Sequence, residues 1–176
     1  MTYRECYAYG CEVLEQAQIA DARLDARLLL EYICHTTQHD LILNRRRELS
    51  EAEQKEYKVL IAKRAERIPL QHITGYQEFM GLAFHVNEHV LTPRPETELL
   101  AEAVFKDAGG KRVLDMCTGS GCIAIAIALQ FDRDIEVDAV DISDDALDVA
   151  NINVEAYALE NEVTLIKSDL FDNLLE

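Results

Sequence analysis

The chain has 176 residues, 49% of them hydrophobic and 28% charged, with a formal net charge of −16. Such a length holds one ordinary domain, or a small domain and part of a second. No apolar run approaches membrane-spanning length and the first residues lack the basic-then-apolar form of a signal peptide, so no membrane partner is expected.

Five cysteines without a Cys-x-x-Cys spacing suit free thiols in a reducing cytoplasm rather than a disulfide framework. The charge is uneven. Residues 1–70 hold 11 Lys and Arg against 12 Asp and Glu, whereas residues 71–176 hold 6 against 21. Two compositions predict two domains, and the acidic half disfavours direct DNA binding.

Residues 1–67 read as a helical domain of about four helices. Thr2-x-x-Glu5 and Ser50-x-x-Glu53 are capping-box patterns that each open a helix. Asp21 stands where it can cap a second helix carrying Leu24, Leu28, Leu29, Tyr32 and Ile33, and Leu41-Ile42-Leu43 forms a shorter apolar turn. Tyr57, Leu60, Ile61 and Ala65 recur at helical spacing between Glu51 and Arg67. His35 and His39 have the i,i+4 spacing of two metal ligands on one helical face. No third ligand matches and Thr36-Thr37 weaken the helix, so no metal site is assigned. Arg45-Arg46-Arg47 is read as a solvated face or a dock for an acidic partner.

Residues 68–95 read as a connector. Pro69 to Gly75 ends the helices, and Glu78-Phe79-Met80, Gly81 and Ala83-Phe84-His85-Val86 predict a short hairpin. His85 and His89 are read as surface positions. Thr92-Pro93-Arg94-Pro95-Glu96-Thr97-Glu98 follows, stiffened by its two prolines, ahead of a helix from Leu99 to Lys106. Arg94 is the only Lys or Arg between Arg67 and Lys106, which makes it a candidate for an ion pair or a ligand contact alike.

Residues 96–176 read as the start of a parallel α/β sheet. A buried strand (Lys111 to Leu114) ends on Asp115; a loop of small residues, Cys117 to Gly121, follows; then an apolar helix runs from Ile123 to Leu129. Gly119-x-Gly121-x-x-Ala124 fits a dinucleotide fingerprint, in which backbone approaches a pyrophosphate. A carboxylate at the strand's mouth instead repels phosphate and attracts a cation, which favours S-adenosylmethionine (SAM) over NAD. A second strand, Ile135 to Val140, ends on Asp141, 22 residues after Gly119 and placed to take ribose hydroxyls. Ser143 caps the next helix, Asp144 to Tyr157, and a third strand, Val163 to Lys167, leads to Asp169. Three acids at successive strand ends suit a cationic, adenosine-containing ligand.

These residues resemble the release factor glutamine methyltransferase (PrmC/HemK) family. The resemblance rests on Pro69-x-x-His72-Ile73-x-Gly75 through Phe79-x-Gly81, on the Thr92 to Glu98 block, and on Asp115-x-x-Thr118-Gly119-Ser120-Gly121. It covers the whole chain but only the first part of a family member's usual length. It implies a small all-α domain followed by the first half of a Rossmann-like, SAM-dependent methyltransferase sheet. The implied reaction is methylation of the glutamine amide in the Gly-Gly-Gln motif of class I peptide chain release factors. Asp115 would be a cofactor-binding residue, the loop Cys117, Thr118, Gly119, Ser120 and Gly121 would hold the methionine end of SAM, Asp141 the ribose, and Asp169 and Leu170 the adenine. Pro93, Arg94, Pro95, Glu96 and Thr97 are candidates to line the substrate side.

Two departures stand out. Cys117 occupies a loop position that is usually Gly; cysteine favours an ordinary φ, so a slightly altered turn with the thiol facing the cofactor is expected. The family's Asn-Pro-Pro-Tyr motif, which orients the glutamine amide, is absent from the 176 residues. The sequence therefore offers no catalytic base, and the chain alone is expected to bind SAM weakly, to be inactive and to self-associate through an open sheet edge. Adenine amino-group methylation of nucleic acid, or non-catalytic SAM or nucleotide binding, are the alternatives. Asp141→Ala is expected to weaken SAM binding while barely changing stability without ligand.

Overall fold

The computed structural model describes residues 1–107, 112–131 and 134–174. The chain forms two units, Met1–Thr74 and Gly75–Glu176. The sequence reading placed the end of the helical domain at residue 67 and set 68–95 apart as a connector. In the structure Leu70–Thr74 is one more short helix of the first unit, and the hairpin belongs to the second.

The first unit holds five described helices: α1 (Tyr3–Gln16), α2 (Ala22–Cys34), α3 (Gln38–Leu43), α4 (Glu51–Ala65) and α5 (Leu70–Thr74). Both expected capping boxes form, Thr2 with Glu5 on α1 and Ser50 with Glu53 on α4. Each returns partners to amides that a helix leaves orphaned at its start. The helix breaks at Thr36-Thr37 as expected, and Thr37 forms a third box with Asp40 that opens α3. Asp21 occupies the cap position of α2 but makes no side-chain cap bond. Its ψ of 36° is outside the extended region that lets a cap side chain fold back on the first turn. His35 takes a left-handed φ of 46° and closes α2, and His39 lies in α3, so the two do not share a helical face.

Tyr3, Leu14, Leu29, Leu30, Tyr57 and Ile61 are fully buried in the core of this unit. Tyr57 Oη donates to the carbonyl of Ala26 at 2.9 Å, so the phenol is satisfied inside an apolar core. Gly10 is required by that packing, because a Cβ there would lie 2.1 Å from Tyr57 Oη. Asp25, also buried, accepts from Arg64 Nε at 2.7 Å.

The second unit opens with an antiparallel hairpin, β1 (Tyr76–Phe79) and β2 (Leu82–His85), in which Phe79 faces Leu82. Met80 and Gly81 form the two-residue turn with φ of 53° and 73°. Positive φ at both positions matches the right-handed twist of the strands. Helix α6 runs from Pro95 to Asp107, four residues longer at its start than the sequence reading. Proline is well suited to a first helical position, where no N–H is needed. Strands β3 (Arg112–Met116), β4 (Glu136–Asp141) and β5 (Val163–Lys167) form a parallel sheet in that order. Helix α7 (Cys122–Gln130) links the first pair and α8 (Asp144–Ala156) the second. Lys111, placed in the first strand by the sequence reading, lies outside the described residues.

One face of the sheet is covered. Val137, Ala139 and Val163 share a core cluster with Ala124 to Ala128 of α7, Val154 of α8, and Phe79 and Phe84 of the hairpin. Helix α7 is apolar from Cys122 to Leu129, and Cys122 and Ala124 to Ala128 are buried. Leu114 points to the other face and is 41% exposed. Among the described residues β3 pairs only with β4, so it is an edge strand here.

Candidate functional site: the loop after the first parallel strand

The small-residue loop between β3 and α7 is fixed by its own backbone. Thr118 N–H donates to Val140 O at 2.9 Å, which ties the loop to β4. Gly121 N–H donates to Thr118 O at 2.9 Å and closes a tight turn ahead of α7. Gly119 and Gly121 have φ of 55° and 77°, where side chains are disfavoured. A Cβ on Gly119 would meet nothing within 4 Å, so this glycine serves conformation and leaves the backbone open to a ligand.

Cys117 corrects the sequence reading. Its φ is 63°, inside the left-handed region, so the turn keeps the path a glycine would take and the cysteine bears the strain. The thiol is exposed. Cys122 behaves differently. A helix N-terminus ordinarily lowers a thiol's pKa, but burial wins here and pushes it up to about 11.

The three strand-end acids have different surroundings. Asp115 is buried, accepting from Thr118 Oγ1 at 2.7 Å and from the Ala124 N–H. Burial raises its pKa, the nearby Asp141 carboxylate raises it further, and the two donors offset this in part. Both named donors belong to the loop and to α7, so Asp115 braces the turn from inside. Asp141 is half-buried and uses both oxygens: Oδ2 accepts from Gly119 N–H at 2.9 Å and Oδ1 from Ser143 N–H at 3.1 Å. A carboxylate has about four acceptor sites, so two remain for ligand hydroxyls. Asp169 is exposed, and Leu170 follows at a φ of 50°, 55% exposed.

The structure adds residues that the sequence reading missed. Ile142 is 61% exposed and Phe171 57%, and they follow the carboxyl ends of the paired strands β4 and β5 as Leu170 does. Exposed apolar side chains at that edge suit a planar base. Ser168 is buried; its N–H donates to Asp141 O at 3.0 Å and its Oγ accepts from Asn173 N–H at 2.9 Å. Asn153, 2% exposed, donates to Ser120 O at 2.9 Å. It shares the buried face of α8 with Ala146, Val149, Ala150 and Val154. A polar residue on an otherwise apolar helical stripe was a legible signal.

These features fit an adenosine ligand with a charged amino-acid tail. Gly121, the cap position of α7, contributes no side chain, and the carboxylate that meets the positive end of that helix is Asp115, through the Ala124 N–H. Asp141 supplies acceptors for a diol. In the proline block Pro93 is buried, Arg94, Pro95 and Glu96 are exposed and Thr97 is half-buried. Arg94 has no ion-pair partner among the described residues, so the structure does not bear out an ion pair for it. Glu98 of the same block accepts from Met80 N–H at 2.8 Å and fastens α6 to the hairpin turn.

Residues 5–75 match the family described as PrmC N-terminal domain, and residues 95–176 that described as Methyltransferase small domain. Fold and loop thus define a methyltransferase α/β domain preceded by a helical domain. A release factor glutamine methyltransferase of Koribacter versatilis is 43% identical over 173 residues, covering 97% of this chain and 61% of the relative. One of Clostridium acetobutylicum is 41% identical over 155 residues, covering 86% and 54%. The chain belongs to the release factor glutamine methyltransferase (PrmC/HemK) family and corresponds to the amino-terminal part of its members. It spans between half and two-thirds of the length of these two relatives.

Proposed function

We propose that this protein transfers a methyl group from SAM to the side-chain amide of the glutamine in the Gly-Gly-Gln motif of class I peptide chain release factors, in the cytoplasm. The observation that carries the reading is a sequence match running through both units to relatives named for that reaction. The loop supports the cofactor. Asp141 offers acceptors to ribose hydroxyls, the loop Cys117 to Gly121 and the start of α7 face the methionine end, and Ile142, Leu170 and Asp169 bracket the adenine.

Bound SAM supplies an electrophilic methyl group. An amide nitrogen is a weak nucleophile, so the rate must come from orientation and from acceptors that polarise its NH₂. The family resemblance gives that task to Asn-Pro-Pro-Tyr, a motif the 176 residues do not contain, and no residue of this chain is assigned as base. What the chain does is hold the donor. Asp115 and Asp141 fix the loop, and Arg94, without an ion pair among the described residues and presented between Pro93 and Pro95, faces substrate with Glu96 and Thr97. The helical unit helps to grip the protein substrate.

Titration calorimetry with SAM and with NAD tests the cofactor, and binding of NAD without SAM would refute it. With labelled SAM, the protein at its relatives' full length should label a class I release factor and spare one whose Gly-Gly-Gln glutamine is replaced. Label transferred to DNA or RNA instead would move the function to nucleic acid.

A further inference from the structure

The cofactor loop is held from behind by a side chain that never meets the ligand in the reading above. Asn153 Oδ1 accepts from His85 N–H at 2.7 Å, and Nδ2 donates to His85 O at 3.0 Å and to Ser120 O at 2.9 Å. The carboxamide's orientation is fixed by these partners: a flip would set its NH₂ against an N–H and its oxygen against two carbonyls. At His85 it pairs with both backbone groups of one residue, as a third strand would beside β2. Four residues on, at the C-cap of α8, Tyr157 Oη donates to Ala83 O at 2.8 Å, so α8 and its cap both serve the outer edge of the hairpin.

The bond to Ser120 has the larger consequence. The Ser120–Gly121 peptide has its oxygen on Asn153 and its N–H on Thr118 O, so both of its polar groups are occupied and its plane is set. That peptide is the last link before α7, between two residues the cofactor reading uses. We propose that Asn153 is a positioning residue for the SAM loop, making the shape of Ser120-Gly121 depend on hairpin β1–β2 through α8. The ligand named rests on the cofactor reading above; the mechanical link does not.

The test uses the whole chain with Asn153→Ala and Asn153→Asp, the latter close in shape but without the two N–H donors. Tyr157→Phe is the control, because it removes the bond to Ala83 O in the hairpin while keeping all three Asn153 bonds. Amide exchange without ligand is read at Gly121 against Leu165 in β5. Both Asn153 variants should exchange at Gly121 at least tenfold faster relative to Leu165, whereas Tyr157→Phe should leave that ratio unchanged. SAM affinity, measured well below each melting temperature, should fall at least tenfold in the Asn153 variants and less than twofold in the control.

An unchanged Gly121-to-Leu165 ratio in Asn153→Asp would overturn the proposal, as would the same loss in Tyr157→Phe. A parent chain that ignores SAM would defeat the cofactor reading alone, and the exchange ratio would still decide the role of Asn153.

Discussion

Cys117 offers a clean measurement of backbone strain. Its φ of 63° is in the left-handed region, which costs an L-residue roughly 1–2 kcal/mol relative to the right-handed one. Cys117→Gly removes that cost but loosens the unfolded chain, which gives back about 0.4–1 kcal/mol. The net expectation is a gain of about 0.5–1 kcal/mol. For a unit of this size 1 kcal/mol moves Tm by roughly 4–8 °C, so the second unit should melt about 2–8 °C higher. Cys117→Ala keeps a Cβ at the same φ and should gain nothing. Cys117→Val, stiff at χ1, should fall below the parent. Scanning calorimetry resolves the effect if the two units melt separately, with the transition of the first unit unmoved. Equal gains from glycine and alanine would show that removing the thiol, not relieving φ, was responsible.

Asp141→Ala should weaken SAM binding by about 1.5–3 kcal/mol in calorimetry. It should also lower the stability of the ligand-free second unit by about 1–3 kcal/mol, since the amides of Gly119 and Ser143 lose their acceptors. Asp115, whose folded pKa is raised, makes the folded state hold its proton longer than the unfolded state does. Its penalty is absent below the unfolded value of about 3.9, grows as pH rises toward the folded value, and is complete above it. Asp115→Asn should therefore compare more favourably with the parent at pH 7 than at pH 4 in thermal melts. Gly10→Ala should cost about 1–3 kcal/mol by overpacking against Tyr57, and adding Tyr57→Phe should recover part of it in a double-mutant cycle. Arg94→Ala should leave Tm within about 2–4 °C, as an exposed residue without an ion pair among the described residues allows, while lowering methyl transfer in a protein of its relatives' full length; a larger fall in Tm would assign it to structure.

Asp141→Ala cannot spare stability as the sequence suggests, because the carboxylate also accepts two backbone amides. Sequence places Asp115, Asp141 and Asp169 alike, each at or just past the end of a strand. Their environments differ because tertiary packing closes α7 over the first, aims backbone amides at the second and leaves the third in water.

Local chemistry was enough for the elements themselves. Capping boxes at Thr2 and Ser50, the apolar run into Asp115 and the third strand from Val163 to Lys167 depend on neighbours within a few residues, and the sequence carries those neighbours. It also carries the family, through the proline block and the glycine loop. Distant contacts decided the rest. Thr36-Thr37 interrupts the helix as its sequence suggests, and the fold adds that Thr37 caps the next one. Leu70 to Thr74 is a fifth helix of the first unit rather than a connector, because α5 packs on α2 and α4. Cys117 adopts the φ of a glycine because Thr118, Gly119 and Gly121 are already tied to Val140, Asp141 and each other, and an intrinsic preference worth about 1 kcal/mol yields to three such bonds. Asn153 reaches Ser120 from 33 residues away, a distance at which only the folded chain brings donor and acceptor together.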